Sequence, residues 1–157
     1  MARTLTITAY DVARNYLGVK EFPGAQKNNS LIMAMHHSVA TWPENDETPW
    51  CSAFVNWVCF QLQPFVPMSN SLMARSWLRV GNMVPLSAAE RGFDIVVIQR
   101  GTGAQPGPEV LNAPGHVAFF SERTKDGLVE VLGGNQGDAV TLAKYRADTV
   151  LGVRRLY

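Results

Sequence analysis

Residues 48–62 read Thr48-Pro49-Trp50-Cys51-Ser52-Ala53-Phe54-Val55-Asn56-Trp57-Val58-Cys59-Phe60-Gln61-Leu62. Thr48 suits an N-cap and Pro49 the first helical position. Phe54, Val55, Val58, Cys59 and Leu62 then recur at helical spacing, and Pro64 stops the run. This reading puts Cys51 third in the helix, where unpaired N–H groups and the helix dipole favour a thiolate. The same N–H groups suit a developing oxyanion. Taken alone, Cys51 is better explained as a small buried apolar residue. Cys59 lies within the apolar stripe and reads as core. On a helix the two thiols stand roughly 12 Å apart along the axis, too far for a disulfide.

Outward from this segment the pattern divides in two. Before it, Thr8 and Asp11 resemble a capping box in its acidic variant. Ala9, Val12, Ala13, Tyr16 and Leu17 share one helical face, with Gly18 as the stop. Residues 30–39 carry a weaker helical pattern through Leu31, Ile32, Met35 and Val39, and Leu72–Val80 reads as a short helix ending at Gly81. After Gly92 the period changes. Ile95–Ile98, Val117–Phe120, Leu128–Leu132, Val140–Leu142 and Val150–Val153 read as strands separated by turn residues. Helices first and antiparallel strands second predict an α+β domain, N-terminal helices packed on a C-terminal antiparallel β-sheet. Residues 101–115 are the most loop-like stretch, punctuated by Gly and Pro, and a loop of that length in a compact domain is often functional.

Composition sets bounds. The chain has 157 residues, 46% hydrophobic and 17% charged, enough to bury one sizeable core. A formal net charge of +1 without runs of like charge gives nucleic-acid binding little support. No stretch is apolar enough to span a bilayer, so no stable membrane association is expected. Met1–Thr8 lacks the apolar core of a signal peptide, which predicts synthesis in the cytoplasm without such a leader.

Few residues are available as a base. Of three histidines, His36 and His37 are adjacent in the second helix and point in different directions, which suits surface or partly buried positions. His116 follows Pro114-Gly115 and opens a strand, where a general base would be held rigidly; a histidine that merely caps a strand end would read the same. Gly133-Gly134-Asn135-Gln136 follows another strand. Its amides could orient an imidazole, although Gly-Gly-Asn is also good turn material.

Six segments together resemble the papain-like peptidoglycan hydrolases, the CHAP and NlpC-type enzymes, and most of all their small phage and prophage members. They are Gly18-Val19-Lys20-Glu21, Thr48–Trp57, Ala74-Arg75-Ser76-Trp77-Leu78, Asp94-Ile95-Val96-Val97, Gly115-His116-Val117 and Leu132-Gly133-Gly134-Asn135-Gln136. They span nearly the whole chain in the order Cys, His, Asn. Gly-His-Val is weak by itself, whereas the ordered set is specific.

The resemblance implies Cys51 as nucleophile, His116 as base and Asn135 as the residue orienting it. Many CHAP domains carry Glu two residues before that asparagine, where this chain has Gly133. It implies acyl transfer through a cysteine thioester with no cofactor. No metal is expected, because the Cys and His spacings match no usual zinc pattern. It further implies bacterial peptidoglycan as partner, cut at the N-acetylmuramoyl-L-alanine amide or within the stem peptide. Trp50, Asp46 and Gln136 are candidate substrate contacts, as are Trp42, Trp77 and Glu47. The expected organisation is one catalytic domain over residues 1–157, a monomer without a separate wall-binding domain. An endolysin acting on the wall after release is the expected biology. A secreted antibacterial effector amidase and a non-catalytic wall-binding module of the same fold are the alternatives.

Overall fold

The computed structural model describes residues 4–24 and 27–157; the first three residues of the stretch read for a leader lie outside these. Three helices, α1 (Ala9–Arg14), α2 (Ser30–His37) and α3 (Cys51–Phe60), precede six strands. The strands are β1 (Asn82–Val84), β2 (Asp94–Gln99), β3 (Gly115–Arg123), β4 (Leu128–Gly133), β5 (Thr141–Arg146) and β6 (Val150–Arg155). They form one antiparallel sheet in the order β1-β6-β2-β3-β4-β5. The architecture is the α+β arrangement expected from the sequence.

Local chemistry sets the helix ends. At α1 the Thr8 hydroxyl accepts from the Asp11 N–H at 3.2 Å, while the Asp11 carboxylate accepts from the Thr8 N–H at 2.9 Å. This helix ends at Arg14, earlier than the apolar periodicity suggested, and Gly18 turns the chain at φ +90°. Helix α3 also differs from the reading at its start. The cap is Trp50, without a side-chain cap bond, and the first helical residue is Cys51. Thr48 is unavailable as a cap because its N–H and hydroxyl both donate to the Asn45 side chain, at 3.1 and 3.3 Å. The segment Leu72–Val80 contains a 3-10 helix, Ala74–Arg79.

The central strands are apolar on both faces, as expected of strands covered twice. Ile95, Val97, Val117, Phe119 and Leu132 pack with Phe54, Val55, Val58 and Trp77 in the larger core. Phe54 meets Phe119 edge to face, with centroids 6.2 Å apart. Val96, Ile98, Ala118, Phe120 and Val131 fill a second cluster on the other face. The β2–β3 register sets Ile98 opposite His116 and Gln99 opposite Gly115, so the histidine stands beside the end of β2.

Candidate active site

As the first residue of α3, Cys51 lies at the helix dipole's positive end, where the opening N–H groups have no intrahelical partners. The thiol is almost fully buried and free, as is Cys59. Burial pushes the Cys51 thiol up. The hydrogen bond it shares with the His116 ring, that ring's charge, the Val117 N–H and the charge of Arg100 together outweigh burial and leave the thiol below its ordinary value. Cys59 has no such neighbours, and burial alone pushes it up to about 12. One helix thus carries an acidified thiol at its start and an inert one in its interior.

The tautomer of His116 follows from its neighbours. The Gln136 amide nitrogen donates to the Thr141 carbonyl at 2.7 Å. That bond turns Gln136 Oε1 toward the histidine, so His116 Nε2 carries the proton and donates to it at 2.9 Å. Nδ1 is then the unprotonated nitrogen left for the thiol. Tyr145 donates to the same Oε1 at 3.2 Å and its ring tilts against the imidazole, centroids 5.6 Å apart. Nothing in the sequence singled out Tyr145. Its distance from residue 116 in the chain is bridged by the β3–β4 and β4–β5 pairings.

The amide reaching His116 is therefore Gln136, and the expected contact from Asn135 is corrected. Asn135 adopts φ +56°, a left-handed conformation that asparagine tolerates. The turn breaks strand alternation and sends the Asn135 amide nitrogen to Glu21 Oε1 at 3.0 Å. The absence of a carboxylate at Gly133 also acquires a reason. A Cβ there would meet the Ala118 Cβ at 2.7 Å and Gln136 Oε1 at 3.1 Å. At Gly134 a Cβ would meet the Trp50 ring at 2.6 Å and the Phe54 Cβ at 2.8 Å. Gly134 thus permits close approach of the β4 end to the start of α3, and Gly133 leaves room for Ala118 of β3 and the Gln136 amide.

Two expected substrate contacts are structural. Trp50 is fully buried, and its indole N–H donates to Glu21 Oε1 at 2.7 Å. Asp46 is buried too, and its Oδ2 accepts the backbone N–H groups of Phe22 and Asn29 at 3.0 and 2.7 Å. Neither offers a side chain to a ligand. Gln136 is likewise buried, its amide held by His116, Tyr145 and Thr141. Burial pushes the Glu21 carboxyl up; the Trp50 bond opposes this and the charges of Asp138 and Asp46 add to it. Trp77 is buried and donates to the Ser52 hydroxyl at 2.9 Å, whereas Trp42 and Glu47 are exposed. His36 is fully buried, contrary to the surface reading, and its Nε2 donates to the Thr48 carbonyl at 3.1 Å.

Clefts open on both sides of the Cys51–His116 pair. Pro49, Cys51, Leu72, Met73, Arg100 and Pro114 are among the residues lining one. Arg100, Gly101, His116, Asn135, Gln136 and Tyr145 line most of the other. The first cleft's wall is fixed by Arg75, which is fully buried. Its guanidinium donates to the carbonyls of Pro106, Gly107, Val110 and Pro114 at 2.7–3.2 Å, drawing in the Gly/Pro-rich loop. Just before the lining residues Leu72 and Met73, the chain is held by Asn56, whose Oδ1 accepts the N–H groups of Ser69 and Asn70, each at 3.1 Å.

No protein-family model and no curated protein matches the sequence. Among solved structures the chain is similar to NlpC1 from Trichomonas vaginalis, with a TM-score of 0.57 and 16% identity. The likeness covers 98% of this chain and 46% of NlpC1, so the chain spans about half of that protein's length. The fold of this chain is an NlpC-type α+β fold.

Proposed function

We propose that the protein is a cysteine-dependent hydrolase that cuts an amide bond of bacterial peptidoglycan. The observation that carries this reading is the acidified Cys51 thiol at the start of α3, beside a His116 ring whose tautomer is fixed by Gln136. The NlpC-type fold and the ordered motif set support the substrate class.

In this mechanism the Cys51 proton passes to His116 Nδ1 and the thiolate attacks the amide carbonyl carbon. The N–H groups opening α3 receive the charge that develops on the oxygen. Collapse breaks the C–N bond, and the amine leaves with the proton from His116 Nδ1. Water then attacks the thioester, giving a proton to His116; the C–S bond breaks and the thiol is restored. The bond is either the N-acetylmuramoyl-L-alanine amide or one within the stem peptide. An endolysin-like role, with the enzyme acting on the wall after release or export, is the biological setting we assign to it.

Purified sacculi incubated with the wild-type chain and with Cys51→Ala test the reading. The wild type should release soluble fragments, whose masses identify the bond, and Cys51→Ala should release none while melting at a similar temperature. Lysis by Cys51→Ala at the wild-type rate overturns it.

A further inference from the structure

Among the described residues Arg100 is the one arginine or lysine lining either cleft, and it lines both. It directly follows β2, whose last residue Gln99 pairs with Gly115, the residue before His116. The ladder therefore fixes its Cα beside the reacting pair. Among the described residues its guanidinium makes no ion pair, and no acidic side chain lines either cleft. The side chain is exposed, so it carries an uncompensated positive charge where the two clefts meet.

Four other arginines contrast with it. Arg155 is paired with Asp94, Arg146 with Asp148 and Arg91 with Glu122, and Arg75 is spent on loop carbonyls. The remaining lining groups near the thiol are the His116 imidazole, whose Nε2 is held by Gln136, together with amides, a phenol, a thioether, aliphatic side chains and backbone. Such a surface offers a carboxylate one strong partner, with bidentate geometry available to the guanidinium fork.

We propose that Arg100 is a specificity residue that binds a free carboxylate of the substrate close to the scissile amide. This rests on the hydrolase reading for its substrate, though not for the charge preference itself. A peptide amide carrying that carboxylate is then held with its carbonyl over Cys51. Its carboxamide counterpart loses the contact and leaves the guanidinium unpaired.

Two measurements on the full chain test this. The first alkylates Cys51 with iodoacetate and with iodoacetamide, reagents differing in charge, and reads the modified peptide by mass spectrometry. Both need the same thiolate, so the ratio of their rates cancels any effect of Arg100 on thiol acidity. Cys59 is fully buried and stays unlabelled. The ratio should fall about tenfold in Arg100→Gln, the scale of one lost charge–charge contact, and be largely kept in Arg100→Lys. The second compares pairs of synthetic stem peptides in which one free carboxylate at a time is replaced by a carboxamide. One pair should show a wild-type preference in kcat/KM for the carboxylate, expressed mainly in KM, that Arg100→Gln reduces about tenfold. An unchanged alkylation ratio in Arg100→Gln, or peptide cleavage indifferent to every carboxylate, overturns the proposal and leaves the hydrolase intact. A reduced ratio with no peptide cleaved overturns the hydrolase reading and supports the anion contact at Arg100.

Discussion

His116 is oriented by the side chain that the turn after β4 delivers to it. Strand parity alone could not choose between Asn135 and Gln136, because the choice depends on one backbone angle, φ +56° at Asn135. The sequence did mark the segment, since two glycines before two amides signal a close approach and a turn. It carried no sign of which amide arrives. The geometry makes a sharp prediction about the pair. Gln136→Ala removes the acceptor for His116 Nε2–H and frees the ring to take the wrong tautomer. Peptidoglycan turnover should fall roughly tenfold to hundredfold, less than for His116→Ala, which removes the proton carrier itself. Asn135→Ala instead puts a Cβ residue without a compensating amide into the left-handed region, at a stability cost of about 1–2 kcal/mol. Its turnover should stay within a few-fold of wild type. Parallel rates and melts on both variants check this; a larger rate loss in Asn135→Ala reverses the assignment.

Elements bring the reacting groups together, and their ends are held by polar contacts that periodicity does not reveal. The start of α3 was read two residues too early, because Thr48 is spent on Asn45. The correction matters chemically, since it moves Cys51 to the first helical residue, closer to the unpaired N–H groups. His36 and Asp46 act in the same region, one holding the Thr48 carbonyl and the other tying Phe22 to Asn29. Arg75 was visible within a motif but without a role, because its partners are carbonyls of a sequence-remote loop that any residue supplies. It is a buried cation whose Nε and Nη1 bond to backbone carbonyls alone while Nη2 has no partner among the described residues, so the loop and the charge depend on each other. Arg75→Met keeps much of the stem and deletes those bonds. It should cost about 2–3 kcal/mol, the scale of hydrogen bonds to a charged group. Amide exchange should quicken within residues 107–113, and turnover should drop as the cleft wall loosens. Unaltered exchange in that loop would show that its conformation is held by its own glycines and prolines.

Across the whole molecule, class and strand content were legible because β2 to β4 are buried runs with a distinct period. Strand β1 was not, since three mostly exposed residues on a sheet edge carry no apolar signal. Burial of ionisable groups was also hidden, and it governs how the fold responds to acid. His36 is fully buried, and burial pushes its pKa below the ordinary 6.5, outweighing the Thr48 carbonyl, which pulls the other way. In the unfolded chain the same ring titrates near its ordinary value. Between that value and the depressed folded one, the unfolded chain binds the extra proton, so stability rises with pH there. The stabilisation is complete above about 6.5 and drains away as pH falls through the folded pKa. Asp11, held low by its bonds to Thr8, extends the loss to still lower pH. The melting temperature should therefore decline as pH drops from about 6.5 toward 5. His36→Gln should melt lower at neutral pH, having lost a fitted ring, yet show a shallower decline over the acid interval because it has no proton to gain. Thermal melts of both proteins across that range decide the matter. Equal acid slopes would mean that groups other than His36 take up the proton when the chain unfolds.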